Sequence, residues 1–181
     1  RLTAPIFHTT PVELDAFAER GLSVTVVDAE EPEAIIPHVA DADIVTLIGT
    51  KLPTKVVEAM TRCRAIARMG AGTDKIDVAR ATELGIVVAN TPYFCVEEQA
   101  DHAMAMLLSL ARRLTQAQNG MAEGDLVRAR SGVGSSQRIS TTTLGLVGFG
   151  RSAVHMARRA RGFGMRVLAT RRNRHAPTAE A

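Results

Sequence analysis

A short glycine-rich segment, Gly148-Phe149-Gly150-Arg151-Ser152-Ala153, constrains the fold of this chain more than any other feature. This segment, the glycine turn, follows an apolar run over Leu144–Val147 that predicts a strand. It leads into a helical pattern over Ser152–Phe163, and Arg166–Ala169 predicts the next strand. A strand, Gly-x-Gly-x-x-Ala, a helix and a second strand are the context that a dinucleotide-binding motif requires. We therefore predict a nucleotide site here rather than an ordinary glycine-rich connection.

Each residue type in the glycine turn has a physical reason to be there. Gly148 permits the tight turn, and Gly150 lets a pyrophosphate approach the backbone. Ala153 keeps the helix close to the strand, a task more often given to glycine. The start of the helix presents unpaired N–H groups and a partial positive charge to the phosphates. We predict that Gly148, Gly150, Arg151, Ser152 and Ala153 bind the cofactor.

The end of the second predicted strand indicates which dinucleotide is bound. An acidic residue about 20 residues after the turn usually holds the ribose 2′-hydroxyl of NAD. Arg171 and Arg172 stand there instead, and an arginine can pair with the 2′-phosphate of NADP. We predict that both arginines bind the cofactor and that it is NADP, with NAD as the alternative. The simpler interpretation is that both arginines are only exposed to solvent.

The rest of the chain predicts an α/β protein. Strands and helices alternate over the first ninety residues, which indicates crossover connections and a parallel sheet. The predicted strands are Leu2–Phe7, Val24–Val27, Ile44–Ile48, Ala65–Arg68 and Ile86–Ala89, and the predicted helices are Pro53–Met60 and Asp77–Leu84. A long apolar helix is predicted over Val96–Leu114, which either the next domain or a partner subunit covers, or which is an ordinary buried helix within one subunit. The polar segment Gly120–Thr143 predicts an exposed loop.

Composition and charge disfavour several classes of function. No apolar run reaches the length of a membrane span, so no membrane partner is expected. Cys63 and Cys95 lack a Cys-x-x-Cys pattern, which favours reduced thiols in a cytoplasmic protein over a metal site or a disulfide. Residues 91–181 carry 13 basic and 6 acidic side chains. Because no nucleic-acid motif or interleaved aromatic residue accompanies them, we expect a phosphate-rich cofactor and no nucleic-acid partner.

Four segments stand in a characteristic order along the chain: Arg68–Asp77, Asn90–Pro92, Glu97–Ala103 and Gly145–Arg151. In residues, order and spacing they resemble the D-isomer-specific 2-hydroxyacid dehydrogenases. The branch with C-terminal-binding-protein-like members and phosphoglycerate dehydrogenases is the most similar. The resemblance covers nearly the whole chain. It implies a flavodoxin-like substrate-binding lobe over residues 1–92, followed by the start of a Rossmann dinucleotide-binding lobe over residues 93–181, which includes the long helix.

The resemblance also implies an activity, hydride transfer between the nicotinamide of NAD(P) and a small D-2-hydroxyacid or 2-ketoacid. It places Gly70, Ala71 and Gly72 in the substrate cleft, where their N–H groups meet the substrate carboxylate. Ala71 would also approach the nicotinamide end of the cofactor. A homodimer formed through the helix from Val96 is implied as well. The catalytic arginine, glutamate and histidine of the family would fall beyond Ala181, so we assign no catalytic residue here.

Two alternatives to an enzyme stay open, a cofactor-sensing scaffold like the C-terminal-binding proteins and an inactive fragment.

Other polar residues are predicted to be structural. Asp77 caps a helix and Asp74 stabilises a turn. His102 is structural or interfacial, and His155 is predicted to lie on the surface. Lys51, after a predicted strand, is either solvated or in contact with an acidic substrate.

Overall fold

A computed structural model describes residues 2–3, 9–132 and 136–173. The chain divides into two compact units, Arg1–Phe94 and Cys95–Ala181. Both units contain parallel strands joined through helices, which confirms the predicted α/β class. Within these ranges no helix has the length and the apolar character that crossing a membrane requires.

The first unit alternates strands and helices. Its strands are β1 (Leu2–Thr3), β2 (Val27–Asp28), β3 (Ile44–Leu47), β4 (Ala65–Arg68) and β5 (Val87–Asn90). Its helices are α1 (Pro11–Ala18), α2 (Pro32–Val39), α3 (Thr54–Glu58) and α4 (Val78–Glu83). All strands are parallel, in the order β2-β1-β3-β4-β5. This is the strand order of flavodoxin, so the flavodoxin-like prediction is confirmed.

Aliphatic side chains form the core of the first unit. Ile35 of α2, Leu47 of β3, Val56 of α3 and Ile66 of β4 are at most 1% exposed. Full burial of one such side chain stabilises the folded state by about 1.5–3 kcal/mol. This packing fixes the carboxyl ends of β3 and β4, where the loop Gly70–Gly72 begins.

The strand predicted over Leu2–Phe7 lies mostly outside the described residues. Most of the other predicted boundaries in this unit are close to those observed, and two differ for local reasons. The strand predicted over Val24–Val27 is largely wrong, because β2 pairs only with the two described residues of β1. Pro53 precedes α3 instead of opening it, because its ψ of 169° is extended. Asp77 caps α4 as predicted, with its side chain accepting a hydrogen bond from the N–H of Arg80 at 3.0 Å.

The second unit is mostly helical. Its elements are α5 (Val96–Ala111), α6 (Leu114–Ala122), α7 (Leu126–Ser131), a 3₁₀ turn (Ile139–Thr141), β6 (Thr143–Val147), α8 (Arg151–Gly162) and β7 (Arg166–Thr170). Strands β6 and β7 pair in parallel, with α8 as the connection between them. The order strand, glycine turn, helix and strand is therefore as predicted.

One apolar face of the long helix, which includes Ala100 and Met104, is covered within its own unit, whereas Met106 and Leu110 stay exposed. Ala100 and Met104 of α5 pack with Met156 and Ala160 of α8, and all four are nearly inaccessible to solvent. The helix is shorter than predicted and ends at Ala111, because Arg113 takes the left-handed conformation with a φ of 53°.

The prediction of an exposed loop over Gly120–Thr143 is wrong, because this segment contains the end of α6, all of α7 and the 3₁₀ turn. Asp125 starts α7 by accepting a hydrogen bond from the N–H of Arg128 at 2.9 Å. Gly120 of α6 packs so tightly on α7 that a Cβ atom would lie 2.5 Å from the backbone nitrogen of Ala129. The polar composition of this segment did not predict α7. The helix is stabilised by the Asp125 cap and by the close contact between Gly120 and Ala129.

Candidate functional site

The glycine turn connects the end of β6 to the start of α8. Gly148 has a φ of 96°, which side-chain-bearing residues rarely adopt, and its N–H donates to the carbonyl oxygen of Thr170 at 2.8 Å. Gly150 has an ordinary φ of −96° and immediately precedes α8. A Cβ atom on Gly150 would meet no other atom within 4 Å. The described protein therefore gives no steric or conformational reason for glycine at position 150, and the open space beside it fits an approaching phosphate group.

The strand register brings the predicted arginines to the same edge of the sheet as the turn. Val147 of β6 is paired with Thr170 of β7, and the Gly148 hydrogen bond continues this pairing by one step. Arg171 follows directly and is half-buried, and Arg172 is exposed. The sequence separates these residues from the turn by about twenty positions, and the fold brings them next to it.

Helix α8 is attached to α5 by an ionic cluster. The Nε atom of Arg159 lies 2.5 Å from the Asp101 carboxylate, and a second guanidinium nitrogen lies 3.5 Å from that of Glu97. The hydrogen bond from Arg159 to Asp101, together with the Glu97 charge, raises the pKa of the guanidinium. His155 lies beside this cluster, with Nδ1 3.9 Å from Glu97 and a side chain only 13% exposed. The prediction that His155 lies on the surface is wrong, because the packing of α8 on α5 covers it.

The start of α8 is attached to α5 as well. The hydroxyl of Ser152 donates to the side-chain oxygen of Gln99 at 2.5 Å. Ala153, the other predicted cofactor residue in this turn of helix, is half-buried, and Arg151 is exposed. The sequence analysis predicted no role for Gln99, because no local pattern links it to Ser152, which lies 53 positions later in the chain.

The loop Gly70–Gly72, which we call the substrate loop, lies in the first unit after β4. Gly70 is buried, has a φ of 152° and uses its N–H to bond the carbonyl oxygen of Arg68 at 3.0 Å. Its predicted role as a donor to substrate would require that bond to open. Ala71 and Gly72 are exposed. Asn90 holds the loop, because its side-chain nitrogen donates to the Ala71 carbonyl oxygen at 2.7 Å.

Two basic residues, Arg68 and Lys75, flank the substrate loop in the sequence. The guanidinium of Arg68 lies where a Gly70 side chain would be and donates to the carbonyl oxygen of Met69 at 2.8 Å. Lys75 donates from Nζ to the carbonyl oxygen of Gly49 at 2.9 Å. Sequence reasoning did not single out Arg68, although a cation at the end of a strand, two residues before a glycine loop, was a usable signal.

The first unit has a shallow groove of about 460 Å³, which is lined by residues 51–54 and by residues 74–77, the segment just after the substrate loop in the sequence. Both Lys51 and Asp74 line it and are exposed. Asp77 lines it as well, and the hydroxyl of Thr54 donates to its carboxylate at 2.6 Å. This bond, with that from the N–H of Arg80, lowers the pKa of Asp77. Asp77 therefore joins the start of α3 to the start of α4, in agreement with its predicted structural role.

The described part of the chain contains no cluster of His, Cys, Asp and Glu that could hold a metal ion.

Comparison with known families gives one match of nearly full length, to the catalytic domain of the D-isomer specific 2-hydroxyacid dehydrogenases, over residues 4–181. The chain belongs to this family. The resemblance seen in the four sequence segments is thereby confirmed.

Curated relatives of this family member include two kinds of dehydrogenase. A glyoxylate reductase from Thermococcus kodakarensis is 39% identical over 155 residues, which are 82% of this chain and 46% of the relative. A D-3-phosphoglycerate dehydrogenase from Methanocaldococcus jannaschii is 33% identical over 167 residues, which are 90% of this chain and 31% of the relative. The chain therefore spans less than half the length of these relatives.

Solved structures agree with the family. An NADPH-dependent glyoxylate/hydroxypyruvate reductase from Sinorhizobium meliloti has a TM-score of 0.78 at 30% identity, with 98% of this chain and 56% of the other covered. The D-lactate dehydrogenase of Aquifex aeolicus, solved with NAD and lactic acid, has a TM-score of 0.81 at 22% identity, with 97% of this chain and 52% of the other covered. The latter likeness supports the fold alone. The solved relatives include proteins with NADP and with NAD.

Proposed function

We propose that this protein is an NADP-dependent oxidoreductase that interconverts a D-2-hydroxyacid and a 2-ketoacid. The main observation behind the proposal is the hydrogen bond from the N–H of Gly148 to the carbonyl oxygen of Thr170. Because Arg171 is the next residue after Thr170, this bond supports a position of Arg171 beside the glycine turn. A pyrophosphate at the turn and a 2′-phosphate one strand away would then meet donors that stand side by side.

The second unit has the task of holding the cofactor, which supplies or accepts the hydride when bound. The N–H groups in the first turn of α8 and the open side of Gly150 face the pyrophosphate in this proposal. Arg151 adds a positive charge at the same helix start. Arg171 and Arg172 select NADP by pairing with its 2′-phosphate.

The substrate loop has the task of binding the acid. Ala71 and Gly72 offer their N–H groups to the carboxylate, with Arg68 as the nearest cation and Lys51 in the adjoining groove. Ala71 also approaches the nicotinamide end of the cofactor. The relatives that are named glyoxylate reductases support a small 2-ketoacid as substrate.

Exposed apolar side chains support a homodimer. Met106 and Leu110 of α5 and Leu114 of α6 are each more than half exposed. Patches of this kind favour a protein partner, and a second copy that pairs through α5 is the partner we propose.

The free thiols of Cys63 and Cys95 support a cytoplasmic location, where cysteines are kept reduced.

Calorimetric titration of the chain with NADPH and with NADH tests the cofactor assignment. We expect NADPH to bind more tightly and Arg171→Ala to weaken NADPH binding by about tenfold or more, the effect of losing a charge-assisted contact. Binding of NADH should stay unchanged. Arg166→Ala is the matched control, because Arg166 is exposed at the opposite end of β7. Equal affinities for the two dinucleotides would refute the role of Arg171.

The reaction itself is tested by following NADPH absorbance with glyoxylate as the 2-ketoacid. Oxidation of NADPH that requires glyoxylate supports the enzyme. Dimerisation that responds to NADPH, with no oxidation of the cofactor, would instead support a cofactor-sensing scaffold.

A further inference from the structure

Gln99 joins α5 to the first turn of α8. Its side-chain oxygen accepts the hydroxyl hydrogen bond of Ser152 at 2.5 Å, and its side-chain nitrogen lies 3.5 Å from the sulfur of Cys95, to which it donates. Both ends of the amide are therefore engaged. An exposed glutamine with both ends held has a defined side-chain position, which surface glutamines usually lack.

Ser152 is the second residue of α8 and belongs to the glycine turn. The backbone N–H groups at this helix start have no acceptor inside the helix and point along its axis, so the placement of the helix start decides where they point. A hydroxyl has a single proton to donate, and Ser152 directs it to Gln99. In this geometry the backbone N–H of Ser152, and not its hydroxyl, is the donor that faces a ligand at the turn.

A second attachment lies two helical turns further along α8, where Arg159 contacts Asp101 and Glu97. That ion pair and the apolar contacts around it hold the body of α8 on α5. The Gln99–Ser152 hydrogen bond lies instead in the first turn of α8, within the glycine turn. The two attachments therefore have separable effects, one on the packing of α8 and one on the direction of its first N–H groups.

We propose that Gln99 is a positioning residue for the phosphate-binding turn, acting through the hydroxyl of Ser152. The proposal rests on the proposed function, because it assumes that a dinucleotide binds at the glycine turn. Gln99 itself touches no cofactor atom in this arrangement. Its effect on affinity arises because it holds the helix start in the orientation that a pyrophosphate requires.

The test compares Gln99→Met with Ser152→Ala and with the double variant. Methionine keeps the length of glutamine and removes both of its hydrogen bonds. We expect Gln99→Met to raise the dissociation constant for NADPH about fivefold, an effect no larger than one net hydrogen bond, because the start of α8 is then less firmly held in the orientation that binds the pyrophosphate. Ser152→Ala should have a similar effect, and the double variant should bind no more weakly than either single variant. The melting temperature of each variant should stay within about 2 °C of wild type.

The chain supplies a matched control in another glutamine–serine pair. Gln116 of α6 donates to the hydroxyl of Ser131 in α7 at 2.9 Å, and neither residue belongs to the glycine turn. Gln116→Met should leave the NADPH dissociation constant unchanged.

Two other outcomes would overturn the proposal while leaving the proposed function intact. One is wild-type affinity in Gln99→Met. The other is that the losses from the two single variants add in the double variant, since Ser152 would then act on the cofactor independently of Gln99. Failure of the wild-type chain to bind either NADPH or NADH would overturn the proposed function itself, and this inference with it.

Discussion

Replacing each glycine of the turn by alanine should separate the requirement of the fold from the requirement of the ligand. Gly148 and Gly150 are both exposed, and a Cβ atom on either would meet nothing within 4 Å. They differ in backbone conformation, since the φ of Gly148 is 96° and that of Gly150 is −96°. We predict that Gly148→Ala destabilises the protein and that Gly150→Ala weakens cofactor binding without destabilising the fold.

The two changes in stability follow from the backbone angles. An alanine at the φ of Gly148 is strained by about 1–3 kcal/mol. Any alanine also restricts the unfolded chain, which stabilises the folded state by about 0.4–1 kcal/mol. Gly148→Ala should therefore lose about 1–2 kcal/mol, or about 3–6 °C of melting temperature for a chain of this size. Gly150→Ala carries only the favourable contribution, so its melting temperature should rise by about 1–3 °C.

The effect on binding should be larger for Gly150→Ala. A methyl group on the open side of residue 150 occupies the space through which a pyrophosphate reaches the first N–H groups of α8. Losing one contact between an N–H group and a phosphate costs about 1.5–3 kcal/mol, which weakens NADPH binding about tenfold or more. Gly148→Ala should weaken it less, provided that the helix start stays in place.

Thermal unfolding followed by circular dichroism, together with calorimetric titration of NADPH, measures both quantities on the same samples. The reasoning would be refuted if Gly150→Ala lowered the melting temperature as much as Gly148→Ala, because the conformational argument would then be wrong. It would also be refuted if Gly150→Ala bound NADPH with wild-type affinity, because the open space would then have no role in binding.

Three further predictions follow from individual contacts. The hydrogen bonds that lower the pKa of Asp77 stabilise the fold when its carboxylate is ionised, which is the case above its ordinary pKa of about 4. This contribution is lost as the pH falls. Urea unfolding should therefore show that Asp77→Asn is less stable than wild type at pH 7 and that the difference is smaller at pH 3. Burial raises the pKa of the Cys63 thiol, so a thiol reagent at pH 8 should label half-buried Cys95 first, and equal rates in the native state would contradict this. Arg159→Met should lower the melting temperature at low salt and less so at high salt, because salt screens the pair with Asp101; a difference independent of salt would argue against an electrostatic contribution.

The sequence predicts those parts of the fold that depend on local patterns. Strands β3 and β4 lie where short apolar runs place them, and these runs supply Val45, Leu47 and Ile66 to the core. The α4 cap at Asp77 and the start of α8 after Gly150 follow from residue types whose backbone preferences are strong. In each case the residues that determine the element lie within it or next to it.

Predictions failed where a distant contact decides the outcome. Helix α7 has polar residues that resemble a loop, and it is held in part by the close approach of Gly120 to Ala129. His155 follows the glycine turn in a basic helix, and only the packing of α5 shows that it is covered. Neither contact leaves a local pattern, since each depends on which surfaces the fold brings together.

The glycine turn itself shows how far a motif can be interpreted. In the sequence, Gly148 and Gly150 are equivalent members of one pattern, and either could be required by the backbone or by a ligand. The structure assigns a backbone requirement to Gly148 alone, because only Gly148 has a positive φ. Gly150 has an ordinary backbone and empty space around its Cβ position, so packing within the described protein does not account for the absence of a side chain. A ligand at the turn would account for it, and the alanine variant of Gly150 is therefore a sharper test of cofactor binding than any change to the strand or the helix.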